Sequence, residues 1–425
     1  MFNTFRQVWK TSDLRNSVLF VLAMLVLFRI AAHIPVPGVN VENLRLFFQQ
    51  NQALGLVNIV SGGALQNFSL VALGVGPYIT ASIIFQLLAM IVPSLEEMQK
   101  EGEAGQQKIN QYTRLATVPL AMLQAYAMIN VLRGTQLQII DPGLTPLEYF
   151  GIMTTMTAGT VLLMWLGELI SERKIGNGVS ILIFSGIVAG MPSRLQQAIV
   201  TFDSSQIMTL VAFTVIAILT VAGVVFITEG QRNIPVVYAK RMRGAKMTGG
   251  VETHLPLRVN MAGVIPIIFA VSIVLVPSMV AQFLVRAHTP WVAAAAQKTI
   301  SIMQDQLIYG ILFFLLVFIF TYFYTTVVFH PDRVAENLQK QGGFIPGMRP
   351  GRPTAEYVMH VVNRIIPAGA GFLATIAVLP LVLQQMTGSK SVVIGGTSLL
   401  IVVSVVIEVI NQINSQLTMR EYEQL

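Results

Sequence analysis

The chain has 425 residues, 54% hydrophobic and only 11% charged against the roughly 25% of soluble domains, and a mean hydropathy of +0.68. With a net charge of +7 and no cysteine, it excludes disulfides, thiolate catalysis and cysteine metal sites. No HExxH, GxSxG or GxxxxGKS/T pattern occurs, so zinc-protease, serine-hydrolase and P-loop chemistry have no motif to rest on, and the composition is that of a polytopic membrane protein.

The N-terminal MFNTFRQVWKTSDLRN carries charges and precedes a full-length apolar run with no small-residue cleavage site behind it, which reads as a retained first span. Ten stretches of membrane length follow one another: 17–34, 70–92, 115–132, 150–170, 179–191, 207–228, 261–284, 307–329, 367–383 and 392–413. The fifth is short as bounded and extends from about Asn177 toward Leu195. The second, LVALGVGPYITASIIFQLLAMIV, is 23 residues without a charge, enough to cross roughly 30 Å of hydrocarbon.

The segment before it, Leu54 to Phe68 (LGLVNIVSGGALQNF), is apolar but too short to span, and it is broken by Gly62 and Gly63. Backbone groups loosened by such a break cannot face lipid. The segment is therefore either half-inserted against protein in a funnel or an interfacial helix lying flat on the bilayer.

Lys and Arg fall asymmetrically. With a cytoplasmic N-terminus, 20 lie in inside segments and 6 in outside loops, with Arg29 within the first span, so both termini are expected to be cytoplasmic. Arg29 faces protein or water, or snorkels to the surface near His33 and Pro35. Ten spans divide into five and five at the external connection 193–206, giving halves 1–192 and 193–425 that enter the membrane from opposite sides; a pathway is expected at the interface of such inverted halves.

Two cytoplasmic loops are long. The first, 229–258, holds a β-prone IPVVYA run, the basic cluster Lys240, Arg241, Arg243 and Lys246, and a Gly-Gly turn, so a protruding hairpin is expected. The second, 330–364, holds GGFIPGMRPGRP, a turn-rich display of Arg349 and Arg352. These cations are either topology anchors or contacts for an acidic partner such as RNA phosphate or an acidic protein face. Glu168, Asp305 and Glu408 lie near span ends, and the central thirds of the spans hold almost no carboxylate, unlike an ion-coupled transporter.

These residues resemble the SecY/Sec61-alpha family of protein-conducting channels. The resemblance rests on AHIPVPGVN (32–40), SGGALQNFSLVALGVGPYITASIIFQLL (61–88), GNGVSILIFSGIVAGMP (176–192), THLPLRVNMAGVIPIIFA (253–270), FIPGMRPGRPT (344–354) and GGTSLLIVVSVVIE (395–408), in the family's order. It implies an all-α fold of ten transmembrane helices in two inverted five-helix halves around a central pore, with a short plug helix at about 54–68 that includes Leu56, Val57, Ile59, Val60, Gly62 and Gly63. It implies a pore ring of Ile79, Ile83, Ile183, Ile187, Ile268 and Ile401; a β-branched apolar ring gates by dewetting, and 79/83 and 183/187 are i,i+4 pairs on one helix face. Taken singly, each of these isoleucines also fits plain packing or lipid contact.

The second and seventh spans then form a lateral gate, carried by Gly76, Pro77, Gln86, Pro266 and Pro277; Gly and Pro are also simply tolerated in membrane helices. Gly76 before the Pro-Tyr pair departs from many relatives and loosens that helix start. Lys240, Arg241, Arg243, Lys246, Arg349 and Arg352 would dock the cytoplasmic partner, and Arg349 is the most telling. The implied activity is non-enzymatic conduction of unfolded polypeptide across the bacterial plasma membrane and lateral insertion of membrane proteins, with no cofactor or metal. The implied partners are the SecE and SecG small membrane subunits, the SecA motor ATPase, the ribosome, signal peptides, nascent chains and the lipid bilayer. Rival readings are a secondary transporter and, more weakly, an intramembrane hydrolase.

Overall fold

A computed structural model describes residues 7–50, 64–65, 67–133, 139–141, 143–200, 207–238, 241–243, 246–248, 252–285, 289–387 and 396–423. Most of these are helical, and among these described residues six helices are long and apolar enough to cross a membrane, seven if a bent pair counts as one span. Shorter apolar helices add Gly178–Pro192, Thr214–Glu229 and Ile265–Ser278. The described chain divides into two compact units, one of Met1–Ile207, Val271–Tyr309 and Val405–Leu425, the other of Met208–Ala270 and Gly310–Ser404.

In the first unit the helix Ser12–Ala31 carries Asp13 in its first turn and Arg29 in its last, each placed favourably for the helix dipole. It packs on the helices Pro146–Glu172 and Gly178–Val200. A chain of neighbours runs Gly76–Ile91, Glu103–Arg133, Pro146–Glu172, Gly178–Val200. The Pro146–Glu172 helix starts at a capping box: Glu148 N donates to Thr145 Oγ1 (3.3 Å) and Thr145 N to Glu148 Oε2 (2.8 Å). Buried hydroxyls inside these helices bond their own backbone, as Thr113 to the Ile109 carbonyl (2.9 Å) and Thr117 to the Thr113 carbonyl (2.7 Å), so they cost little in an apolar wall.

The stretch expected as one helix over 70–92 is not one. Residues 70–75 are turns, and the helix begins at Gly76, with Gly74 left-handed (φ +60°) and Pro77 in the first turn, where its missing N–H costs no bond. At its far end Pro93 opens a second helix, Pro93–Lys100, bent by 100° from the first. Length and apolarity mark a span but do not fix where its helix begins.

In the second unit the loop after 229 folds as the expected hairpin. Strand β1 (Gln231–Tyr238) pairs antiparallel with β4 (Glu252–Arg258), Ile234 opposite Leu255, while β2 (Arg241–Arg243) and β3 (Lys246–Thr248) form the outer ladder, Arg243 opposite Lys246. Strand β5 (Gly343–Phe344) joins the other edge of β1, so the order is β4-β1-β5. Ile234, Val236, Leu257, Leu338, Ile345, Val358 and Val362 make its core. The second loop is more helical than its composition predicts: Pro331–Lys340 is a helix, and Arg352–Thr387 is one 36-residue helix that starts well before the apolar run at 367. Pro331 and Pro353 sit in first turns, so prolines that mark breaks in the sequence mark helix starts in the fold.

Candidate gate, plug and docking elements

The first unit holds four of the six predicted ring residues. Ile79 and Ile83 lie on the Gly76–Ile91 helix, 4% and 2% exposed; Ile183 and Ile187 lie on Gly178–Val200, 1% and 3% exposed. The second unit holds Ile268 on the Ile265–Leu284 helix and Ile401 on Gly396–Glu423, both buried. Each i,i+4 pair keeps both members buried on one helix face, as the spacing requires.

The predicted plug residues Leu56, Val57, Ile59, Val60, Gly62 and Gly63 lie outside the described residues. The end of that segment is described and firmly held. Ala64, Leu65 and Phe68 are fully buried, and Leu65 and Phe68 pack with Val36, Ile129 and Ile140. Val36 N donates to the Phe68 carbonyl and Leu70 N to the Ile34 carbonyl, both at 2.9 Å, closing a bridge between Pro35 and Ser69. Ser69 bonds the Ala64 carbonyl through both its N–H and its hydroxyl, at 3.1 Å. Beside this turn Gly159 lets the Leu70 carbonyl approach so closely that a Cβ there would stand 1.9 Å from the oxygen.

Of the predicted gate residues, Gly76 and Pro77 form the helix start just described, and Pro266 is the second residue of Ile265–Leu284, with Pro277 inside that helix. Gln86 Nε2 donates to Ser82 Oγ (3.1 Å), while the buried Gln86 Oε1 has no partner among the described residues. Before the Ile265–Leu284 helix the chain turns through left-handed Gly263 (φ +63°), whose carbonyl accepts from Asn260 Nδ2 at 3.3 Å.

Of the predicted docking residues, Lys240 lies outside the described residues, while Arg241 and Arg243 fall on β2 and Lys246 on β3. Arg349 is exposed between left-handed Gly347 (φ +83°) and Gly351 (φ +99°), and its carbonyl accepts from Thr354 Oγ1 at 2.9 Å. Among the described residues Arg349 makes no ion pair, whereas Arg352 Nε lies 3.3 Å from Glu356 Oε1. The loop thus presents one arginine open and the other partly occupied.

Sequence reasoning missed three side-chain relationships. Arg114 on Glu103–Arg133 donates to Glu168 on Pro146–Glu172. Phe269 stands edge to face against Phe320 and Tyr324. In the first unit, the turn after Glu172 is tied down twice: Gln416 Nε2 bonds the carbonyl of Lys174, a left-handed residue (φ +56°), and the Arg173 guanidinium lies 4.2 Å over the Phe20 ring. Every one of these residues is visible in the sequence, but no spacing rule links positions so far apart.

Comparison with known proteins matches residues 69–410 to the SecY family model. The protein translocase subunit SecY of Streptomyces galbus is 44% identical over 440 residues, covering all of this chain and 99% of that protein, and that of Mycobacterium bovis is 43% identical over 444 residues with the same coverage. A solved protein-conducting channel shares the fold at TM-score 0.65 and 17% identity, over 93% of this chain and 91% of the other. Sec61 from a canine ribosome-channel complex of the endoplasmic reticulum does so at TM-score 0.62 and 17% identity, with the same coverage.

Proposed function

Because the chain belongs to the SecY family, we propose that it is the multi-pass channel subunit of a protein translocase, passing unfolded polypeptide across a membrane and releasing apolar segments sideways into lipid. The observation that carries this is the likeness over the full length to curated SecY subunits at 43–44% identity. The chain carries no nucleotide-binding motif, so the driving energy comes from a partner. We take that partner to be the SecA motor or the translating ribosome, and the small SecE and SecG subunits to brace the channel. The excess of Lys and Arg in inside segments supports cytoplasmic termini, and the bacterial sources of the similar SecY subunits support a plasma membrane location.

Within that function, the six buried isoleucines Ile79, Ile83, Ile183, Ile187, Ile268 and Ile401 serve as an apolar constriction that stays dry and ion-tight until a chain enters. Leu54 to Phe68 is the plug, anchored through Leu65 and Phe68. Gly76, Pro77, Gln86, Pro266 and Pro277 belong to the lateral gate, and Lys240, Arg241, Arg243, Lys246, Arg349 and Arg352 to the cytoplasmic docking surface. In this reading the halves 1–192 and 193–425 are the two inverted five-helix halves of the channel.

The test is reconstitution of the channel with candidate small subunits and motor in vesicles, reading uptake of a secretory precursor and resting ion conductance. Wild type should be tight and import only with the motor; Ile79→Asn and Ile401→Asn, which place a hydratable group at the constriction, should leak at rest and accept weaker signal sequences. Unchanged conductance and unchanged signal stringency in both variants would remove these residues from the gate.

A further inference from the structure

Phe269 stands in the second turn of the Ile265–Leu284 helix, 4% exposed, and its ring meets two rings of the Gln306–Val328 helix edge to face. The centroids are 6.2 Å apart at 88° for Phe320 and 5.7 Å apart at 90° for Tyr324. Positions 320 and 324 are i,i+4 neighbours, so the two rings form one notch on one helix face. Phe320 is itself backed by Phe323, 6.4 Å away at 83°. Just upstream, left-handed Gly263 and the Ile267 N–H bond to the Val264 carbonyl (3.1 Å) fix the point at which the helix begins. Consecutive residues of a helix project about 100° apart. A notch that holds Phe269 therefore also fixes the direction of its neighbour Ile268, which is buried in turn.

We propose that Phe269 is a positioning residue of the gate: seated in the Phe320/Tyr324 notch, it sets the rotation of the seventh span and so the direction in which Ile268 is presented. The proposal rests on the channel reading above. Leucine at 269 fills much of the volume but offers no ring quadrupole to orient, so the helix can roll about its axis while remaining packed. The loss then falls on selectivity, not on the presence of the channel.

The experiment compares import of a normal precursor and of one with a weakened, less apolar signal, with channel content and thermal midpoint measured in parallel. Phe269→Leu should raise the weak-to-normal import ratio about threefold to tenfold, the range that corresponds to losing aromatic pairs of ordinary strength. Phe269→Tyr should keep the wild-type ratio, Phe320→Leu should reproduce the change, and the double variant should not exceed either single one. Ile268→Asn tests the underlying reading: if it loosens stringency and Phe269→Leu does not, the positioning role is overturned and the channel reading stands. If Ile268→Asn also leaves the ratio unchanged, the channel reading fails at this residue. Should Phe269→Leu fail to accumulate, Phe320→Leu decides alone, and a wild-type ratio there overturns the proposal.

Discussion

Arg114 Nε lies 2.6 Å from Glu168 Oε1, joining the Glu103–Arg133 and Pro146–Glu172 helices across 54 residues of sequence. The arginine side chain is 47% exposed and the glutamate only 17%, so removing the arginine strands the more buried partner. Arg114→Ala should lower stability by about 1–3 kcal/mol, toward the lower end because water reaches the guanidinium. Adding Glu168→Gln should recover most of that loss, since the neutral amide has no charge left unpaired. Thermal unfolding in detergent of both single variants and the double measures the coupling; losses that simply add would show that the pair does not act as one.

Arg349 stands in the turn before the helix that Arg352 begins, and the two share a charge but differ in what they touch: among the described residues Arg352 has Glu356 beside it and Arg349 has no ion pair. Arg349→Glu should abolish motor-driven import with normal channel content, Arg352→Glu should be milder, and Arg349→Lys should be intermediate, since it keeps the charge and loses the planar fork. If the cations only anchor topology, the two Glu variants will import alike. Wild-type import by Arg349→Glu would sink the contact role.

The anchored end of the segment proposed as the plug sets how much of it can be removed. Excising residues 56–63 leaves Leu65 and Phe68 in their core and should raise resting ion permeability while the protein still accumulates. Extending the cut through Leu65, a fully buried side chain, should cost about 2–5 kcal/mol more and reduce the yield of folded channel. Equal yields from the two deletions would contradict the anchoring role, and unchanged permeability in the shorter one would contradict the plug.

Gly159 and Gly151 lie two turns apart on one helix with opposite surroundings: a Cβ at 159 would stand 1.9 Å from the Leu70 carbonyl, and one at 151 would meet nothing within 4 Å. Gly159→Ala should destabilise by about 1–3 kcal/mol or more, because backbone has to move. Gly151→Ala should be neutral or gain up to about 1 kcal/mol from helix propensity. Matching thermal midpoints for the two variants would refute the close approach.

The hairpin at 231–258 was legible from its β-prone run and Gly-Gly turn, and the shared helix face of Ile79 with Ile83 and of Ile183 with Ile187 from their i,i+4 spacing. The helix starts at Gly76 and Arg352 were not, since apolarity marks where lipid is, whereas a helix begins where a left-handed glycine and a first-turn proline allow it.

The sequence by itself determined the class of protein, its apolar stretches, its charge asymmetry and its family, because each is a sum of local terms: length against bilayer thickness, charge against the membrane face, motif against motif. Only the tertiary structure decided which residues meet. The contacts of Arg114 with Glu168 and of Phe269 with Phe320 and Tyr324 depend on how each helix is rotated about its axis. In helices such as Ile207–Glu229 and Gln306–Val328, which are apolar on nearly every side, no amphipathic stripe announces that rotation. It is set by the fit of particular side chains and by backbone approaches such as that of Leu70 to Gly159.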